Sequence, residues 1–297
     1  MSVEFTEAPA PLPDWLAQHF PFRRRMARVG DHTIHFVDEG EGAPLLLFHG
    51  NPTWSFLWRK VIHALAGEAR IIAPDLVGLG LSDKPRAPSA HQLEMHVGVM
   101  HALVESLGLS SVVIAGQDWG GPIGMGVASR FSGTVAGIVL SNTAVLRPAR
   151  PFRPKAFHKF SHMPVVSDLA FRGLGFPLST LHKVQGDPAS IGPLERKAYH
   201  NPLARIADRA APLGLARMVP NSEEHPTTRT LDAIGAFVES YEGPAELVWG
   251  TRDPILGGAL RRQRRALPDA RVTETQAGHF LQEEVPEVLA AAISRLL

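Results

Sequence analysis

The chain of 297 residues is long enough for one large α/β domain carrying an insertion, with a substantial buried core. With 44% hydrophobic residues, 20% charged residues and a formal net charge of +1, it has no global electrostatic pull toward nucleic acid or an anionic membrane. The absence of cysteine excludes disulfides, thiolate metal sites and cysteine nucleophiles, and fits a reducing, cytoplasmic setting.

The first residues, MSVEFTEAPAPLPDWL, carry acids and prolines in place of a basic start and an apolar stretch, so no signal peptide is expected there. No unbroken run of about 18 apolar residues occurs, so no membrane-spanning helix is expected. Residues 26–40, MARVGDHTIHFVDEG, alternate around a Gly-Asp turn and predict an antiparallel hairpin. Beyond it, strands alternate with helices. PLLLFHG (44–50) predicts a buried strand, SFLWRKVIHALAG (55–67) a helix and RIIAPD (70–75) a second strand. QLEMHVGVMHALVESLGL (92–109) has the spacing of a long amphipathic helix, and SVVIAGQ that of another strand. Residues 119–131 form the next helix and VAGIVLSNT (135–143) the next strand. Continuous apolar strands separated by helices predict an α/β fold with a mostly parallel central sheet flanked by helices.

Between 147 and 225 the alternation stops. The segment opens RPARPFRPKAFHKF and continues in short, proline-broken helical pieces rich in Phe and Leu, with Lys and Arg outnumbering Asp and Glu. This predicts a helical subdomain, 147–225, inserted in a main domain formed by 1–146 and 226–297. The basic patch at its start is a solvated, kinked entry or an interface between copies of the chain in a homo-oligomer. The α/β pattern resumes with AELVWGT (245–251), ARVTETQ (270–276) and the terminal helix PEVLAAAISRLL.

Ligands in such sheets bind beyond the carboxyl ends of the strands. The residues there are His49-Gly50-Asn51-Pro52, then Asp118-Trp119, Asn142, Asp253 in GTRDPILG and His279 in QAGHFLQEE. Asp118, Asp253 and His279 follow the chain order nucleophile, acid, histidine of α/β-hydrolases. Singly, each has an ordinary structural explanation, such as a helix N-cap for an aspartate. Together, each at a strand end, they point to one active site.

The chain resembles an α/β-hydrolase, and within that fold a haloalkane dehalogenase. The motifs carrying the resemblance are HGNPTWSFLWR (49–59), PDLVGLGLSDKP (74–85), GQDWGGP (116–122), GTRDPILG (250–257) and AGHFLQEE (277–284). The second and fourth are widespread in the fold, and the first and third together are specific. Where related hydrolases place serine, this chain has Asp118. On a saturated carbon, serine would leave an ether, whereas a carboxylate leaves an ester that water can cleave. His279 is then the general base for that water, Asp253 orients its ring, and the backbone N–H groups of Asn51 and Trp119 form the oxyanion hole. The backbone N–H groups at the turn are expected to favour ionised Asp118. By resemblance, the Asn51 amide and the Trp119 indole stabilise the departing halide.

Related activities fit less well. Epoxide hydrolases share the aspartate but use two cap tyrosines. This chain has two tyrosines in all, Tyr199 and Tyr241, and Tyr241 lies outside the insertion. Haloacetate dehalogenases need arginines beside the nucleophile, where this chain has Trp-Gly-Gly-Pro. Asn142 stands where one dehalogenase group has its acid, and residues 147–225 contain no tryptophan for a cap halide donor. The Asp118–His279–Asp253 triad with the Asn51–Trp119 pair therefore resembles subfamily III. The insertion is expected to be a cap closing over an apolar pocket, with Phe152, Phe157, Phe160, Phe171 and Leu178 as candidates to line it, some of them packing the cap's own core instead. Tyr199 is expected to face that pocket or pack at the hinge. No phosphate-cradling glycine motif or metal-ligand cluster occurs, so no cofactor or metal is implied. The partner implied is a small halogenated aliphatic substrate, with halide as product. The remaining alternatives are an epoxide hydrolase or another aspartate-nucleophile hydrolase, and a ligand-binding protein that turns nothing over.

Overall fold

The computed structural model describes residues 1–6, 8–148 and 156–297. Strands form where the sequence runs apolar without alternation. In β4 (Ala43–Phe48), Leu45, Leu46, Leu47 and Phe48 are all fully buried, because the strand lies mid-sheet with both faces covered. The others are β1 (Val3–Phe5), β2 (Arg24–Val29), β3 (His32–Glu39), β5 (Ala69–Pro74), β6 (Ser111–Gln117), β7 (Thr134–Ser141), β8 (Ala245–Gly250) and β9 (Arg271–Thr275). Their spatial order is β1-β2-β3-β5-β4-β6-β7-β8-β9. The first four in that order pair antiparallel, and β5 onward pair parallel. The chain runs from β4 to β5 on one side, then crosses to β6 on the other. That reversal opens a crevice at the carboxyl ends of β4 and β6.

Helix Leu93–Ser106 buries Leu93, His96, Val97, Met100, Leu103 and Val104 at three- and four-residue spacings. It packs on helix Gly120–Ala128, which also contacts helix Pro226–Glu239. The expected helix over 55–67 is instead a 3₁₀ turn, Ser55–Trp58, followed by helix Arg59–Leu65. Strand β1 was not anticipated; three residues pair with β2 at the sheet edge. Among the described residues no helix is long and apolar enough to cross a membrane.

Between β7 and β8 the described residues hold helical segments and no strand, including Ala156–Ser161, Pro193–His200 and Ala211–Arg217. Leu178, Leu181, Ala198, Tyr199 and Leu215 from this stretch join the core that covers the sheet. Phe171, Leu213 and Ala216 form a second, small cluster with Phe160 and Phe176 against it. Of the five candidates, Phe157, Phe160 and Phe171 are the ones that pack within the insertion, ring against ring with Phe176. Leu178 belongs to the main core, and Phe152 lies outside the described residues, as does most of the basic patch.

Candidate active site

The turn from β6 into helix Gly120–Ala128 holds Asp118 at φ +50°, a left-handed conformation that L side chains adopt only under constraint. Two hydrogen bonds fix it: Asp118 N–H donates to the Asn142 carbonyl at 3.1 Å, and the Thr143 hydroxyl donates to the Asp118 carbonyl at 2.6 Å. The turn is also tight. A Cβ at residue 120 would fall 2.1 Å from the Phe48 carbonyl oxygen, so only glycine lets the helix start this close to β4. The result is a side chain presented above the sheet edge and 15% exposed.

Asn51 N–H donates to Asp118 Oδ1 at 2.7 Å, and Trp119 N–H also bonds the carboxylate. Both predicted oxyanion donors therefore already point at this group. Burial nonetheless raises the Asp118 pKa, outweighing the opposing pull of His279 and the two N–H groups. The backbone donors do favour the ionised carboxylate as expected, but desolvation is the stronger influence.

His279 follows β9 and is 1% exposed. Its Nδ1 lies 2.8 Å from Asp253 Oδ2, and its Nε2 lies 3.7 Å from Asp118 Oδ2. With Nδ1–H donated to Asp253, the Nε2 lone pair faces Asp118. Asp253, 6% exposed, also accepts from Ile255 N–H at 2.7 Å. Burial opposes charge on both partners, yet their mutual attraction holds Asp253 below the usual carboxylate value and His279 above the usual imidazole value. Asp118, His279 and Asp253, apart by up to 161 residues in sequence, thus meet in one line.

Asn51 and Trp119 are both partly buried beside Asp118. The Asn51 side chain donates one N–H to the Pro212 carbonyl at 3.0 Å, and its Oδ1 is buried without a partner. That bond ties the β4 exit loop to helix Ala211–Arg217 and engages one of the two amide hydrogens.

Several residues beside this line were not anticipated. Asn142, considered only as an acid and rejected, is fully buried at φ +32°. Its Nδ2 donates to Asp253 Oδ2 at 2.8 Å and to the Gly278 carbonyl at 3.0 Å, while its Oδ1 accepts from Gly250 N–H at 2.8 Å. One amide thus joins the loops that bear the acid and the histidine. Gln117 donates to the His279 carbonyl at 3.1 Å and places Nε2 3.3 Å from His279 Nε2. Position alone could have drawn attention to both, since each stands at a strand's carboxyl end. Of the two settings expected for Tyr199, it is packed: it is 1% exposed, meets the Phe56 ring edge-on, and its hydroxyl donates to Glu283 Oε1 at 2.6 Å. Among the described residues no cluster of three metal-ligating side chains occurs.

The model of the α/β hydrolase fold family matches residues 43–286. Haloalkane dehalogenase 2 of Mycobacterium tuberculosis is 35% identical over 308 residues, covering 99% of this chain and 98% of that protein. The haloalkane dehalogenase of Mycobacterium marinum is 33% identical, covering 88% of this chain and 87% of its own length. Among solved structures, haloalkane dehalogenase DbeA from Bradyrhizobium elkani superimposes with a TM-score of 0.81 at 26% identity, covering 92% of this chain and 98% of that one.

Proposed function

The chain belongs to the haloalkane dehalogenase family of the α/β-hydrolase fold, and from that premise we propose a mechanism in which Asp118 is the nucleophile. The reaction is hydrolysis of a haloalkane to a primary alcohol, halide and a proton. In the first half an Asp118 carboxylate oxygen attacks the carbon that bears the halogen. The carbon–halogen bond breaks, its electron pair leaves as halide, and an alkyl ester of Asp118 remains. The Trp119 indole N–H and the second Asn51 amide N–H receive the halide. The indole is a donor with no competing acceptor, suited to a site with little water.

In the second half, water attacks the Asp118 carbonyl carbon while His279 Nε2 takes its proton. The carbonyl oxygen of the ester, facing the Asn51 and Trp119 N–H groups, carries the developing charge. Collapse expels the alcohol and restores the carboxylate, and His279 gives its proton to solvent. Asp253 stabilises the imidazolium and Asn142 holds Asp253 in place. The single observation that carries this reading is the line Asp253–His279–Asp118 with an aspartate at the strained turn.

The same reading makes 147–225 a cap on a main domain of 1–146 and 226–297 and aligns the site with subfamily III, and the lack of cysteine supports a cytoplasmic setting. Epoxide opening is disfavoured because the Tyr199 hydroxyl is engaged by Glu283. Incubation with 1-bromobutane or 1,2-dibromoethane tests the function, with an aliphatic epoxide in parallel. Bromide and alcohol in equal amounts, with the epoxide intact, is the expected result. Diol from the epoxide without bromide release contradicts it, and bound but unconverted substrate points to a binding protein.

A further inference from the structure

We infer that Gln185 and Glu284 are positioning residues for His279, through which the helical insertion holds the base of the hydrolytic half-reaction. This rests on the dehalogenase mechanism above and extends it to side chains that touch no substrate.

The insertion segment Val184–Asp187 lies along the loop that bears His279. Its Val184 carbonyl accepts the His279 backbone N–H at 2.9 Å. Gln185 is 7% exposed and copies one rung of a β-ladder: its Oε1 accepts Phe280 N–H at 2.9 Å and its Nε2 donates to the Phe280 carbonyl at 3.1 Å. The Glu284 carboxylate closes the other end. Oε1 accepts from Gly278 N–H at 2.8 Å and from Gly186 N–H at 3.0 Å, and Oε2 accepts from Asp187 N–H at 2.8 Å. One anion therefore joins the residue before the base to two residues of the insertion. The approach is close enough to demand glycine, since a Cβ at residue 278 would fall 2.3 Å from the Val184 carbonyl oxygen.

Val184, Ala277 and Phe280 pack into the core on the inner side of this joint. Its outer edge borders a surface pocket of about 450 Å³ lined by Gly186, Asp187, Arg252, Gln276 and Glu284, so hydrogen bonds carry the register. Charge-assisted bonds of this kind are about twice as strong as neutral ones. Loosening them leaves the β9 loop free to shift the imidazole. The nucleophile's own supports, Asn51, Thr143 and the Asn142 carbonyl, lie on other loops. The two half-reactions therefore respond differently: carbon–halogen cleavage needs Asp118 and its halide donors, and ester hydrolysis needs His279.

The test separates the two steps in single turnovers with 1,2-dibromoethane, by rapid-quench bromide assay and by intact mass of the alkyl-enzyme. In Glu284→Ala, bromide is expected in a burst of about one equivalent at close to the wild-type rate. Ester hydrolysis is expected to slow by about 10- to 100-fold, as for a misplaced catalytic group, with alkyl-enzyme accumulating. Glu284→Gln, which keeps one acceptor oxygen, falls between Ala and wild type and decides the matter if Ala does not fold. Gln185→Met reproduces the same imbalance. A folded variant in which both steps fall together, or neither changes, overturns the positioning role. Wild-type enzyme that releases no bromide overturns the dehalogenase reading itself.

Discussion

Replacing Arg59 by methionine removes one half of a buried ion pair and should be among the most destabilising surface-remote changes in the protein. Arg59 stands at the start of helix Arg59–Leu65 with its side chain 9% exposed, and Glu283, 0% exposed in the side chain, lies four residues after His279. The guanidinium holds the carboxylate at 2.6 and 2.9 Å, reaches Glu195 at 3.2 Å and lies 4.0 Å over the Phe56 ring. Burial penalises the Arg59 charge, but Glu283 more than offsets it and holds the guanidinium above its usual pKa. Without Arg59, Glu283 keeps Tyr199 and the partly exposed Lys60 as partners. Lys60, 3.1 Å away and partly exposed, compensates that buried charge only in part, so the loss should be about 3 kcal/mol, the lower end for breaking a buried pair, against roughly 5–15 kcal/mol for the whole of a typical domain. At this chain length that corresponds to a fall in Tm of about 5 °C. An exposed pair such as Arg130–Glu94, 32% and 59% exposed, is worth under about 1 kcal/mol, so Arg130→Ala serves as the contrast. Calorimetry on Arg59→Met and on Arg59→Met/Glu283→Gln checks the cause. The double variant removes the under-compensated charge but leaves an acceptor for Tyr199, so it should recover at least half of the loss. A double variant less stable than the single one would refute the reasoning.

Ester hydrolysis should show an acid limb, losing rate as pH falls through the His279 pKa, because the base must be neutral; burial lowers that pKa, and Asp253, still ionised when Asp118 is an ester, raises it. In Asp253→Asn the limb should move to lower pH and the plateau rate fall; single-turnover rates across pH decide, and an unmoved limb would remove Asp253 from its role. Asn142→Ala strands Gly250 N–H and the Gly278 carbonyl, at about 3 kcal/mol, and should also slow hydrolysis more than alkylation. Equal loss in both steps would mean that Asn142 acts on the fold alone. His91, stacked on His96 and buried beside Gly78 and Gly214, has its pKa pushed by burial to about 4. The unfolded chain takes up that proton near pH 6.5, so stability should fall between about pH 6.5 and 4, by about 3 kcal/mol for this residue. Denaturant titrations of wild type and His91→Gln test it, the variant losing less over that interval; parallel curves would contradict it.

The parallel strands were legible because burial on both faces leaves continuous apolar runs such as PLLLF, and each strand's end names its loop. Asp118, Asp253 and His279 could be picked out because chemistry restricts their residue types. Other features left no local mark. Gln185 meets Phe280 across 95 residues and Arg59 meets Glu283 across 224, contacts to which no periodicity points. Strand β1 is three residues whose partner is decided by edge pairing. Helix Leu260–Ala266, LRRQRRA, buries only Gln263 and Ala266, so its amphipathic signal is faint. The rings of Phe157, Phe160 and Phe171 were apolar in either setting, and only tertiary packing assigns them to one another.

The most direct test of the central claim is the mass of the protein after exposure to 1-bromobutane in a His279→Gln background. A covalent butyl group on the peptide containing Asp118, absent from the Asp118→Asn/His279→Gln double variant, is the expected result. An unmodified protein, or an adduct that survives loss of Asp118, would contradict the mechanism.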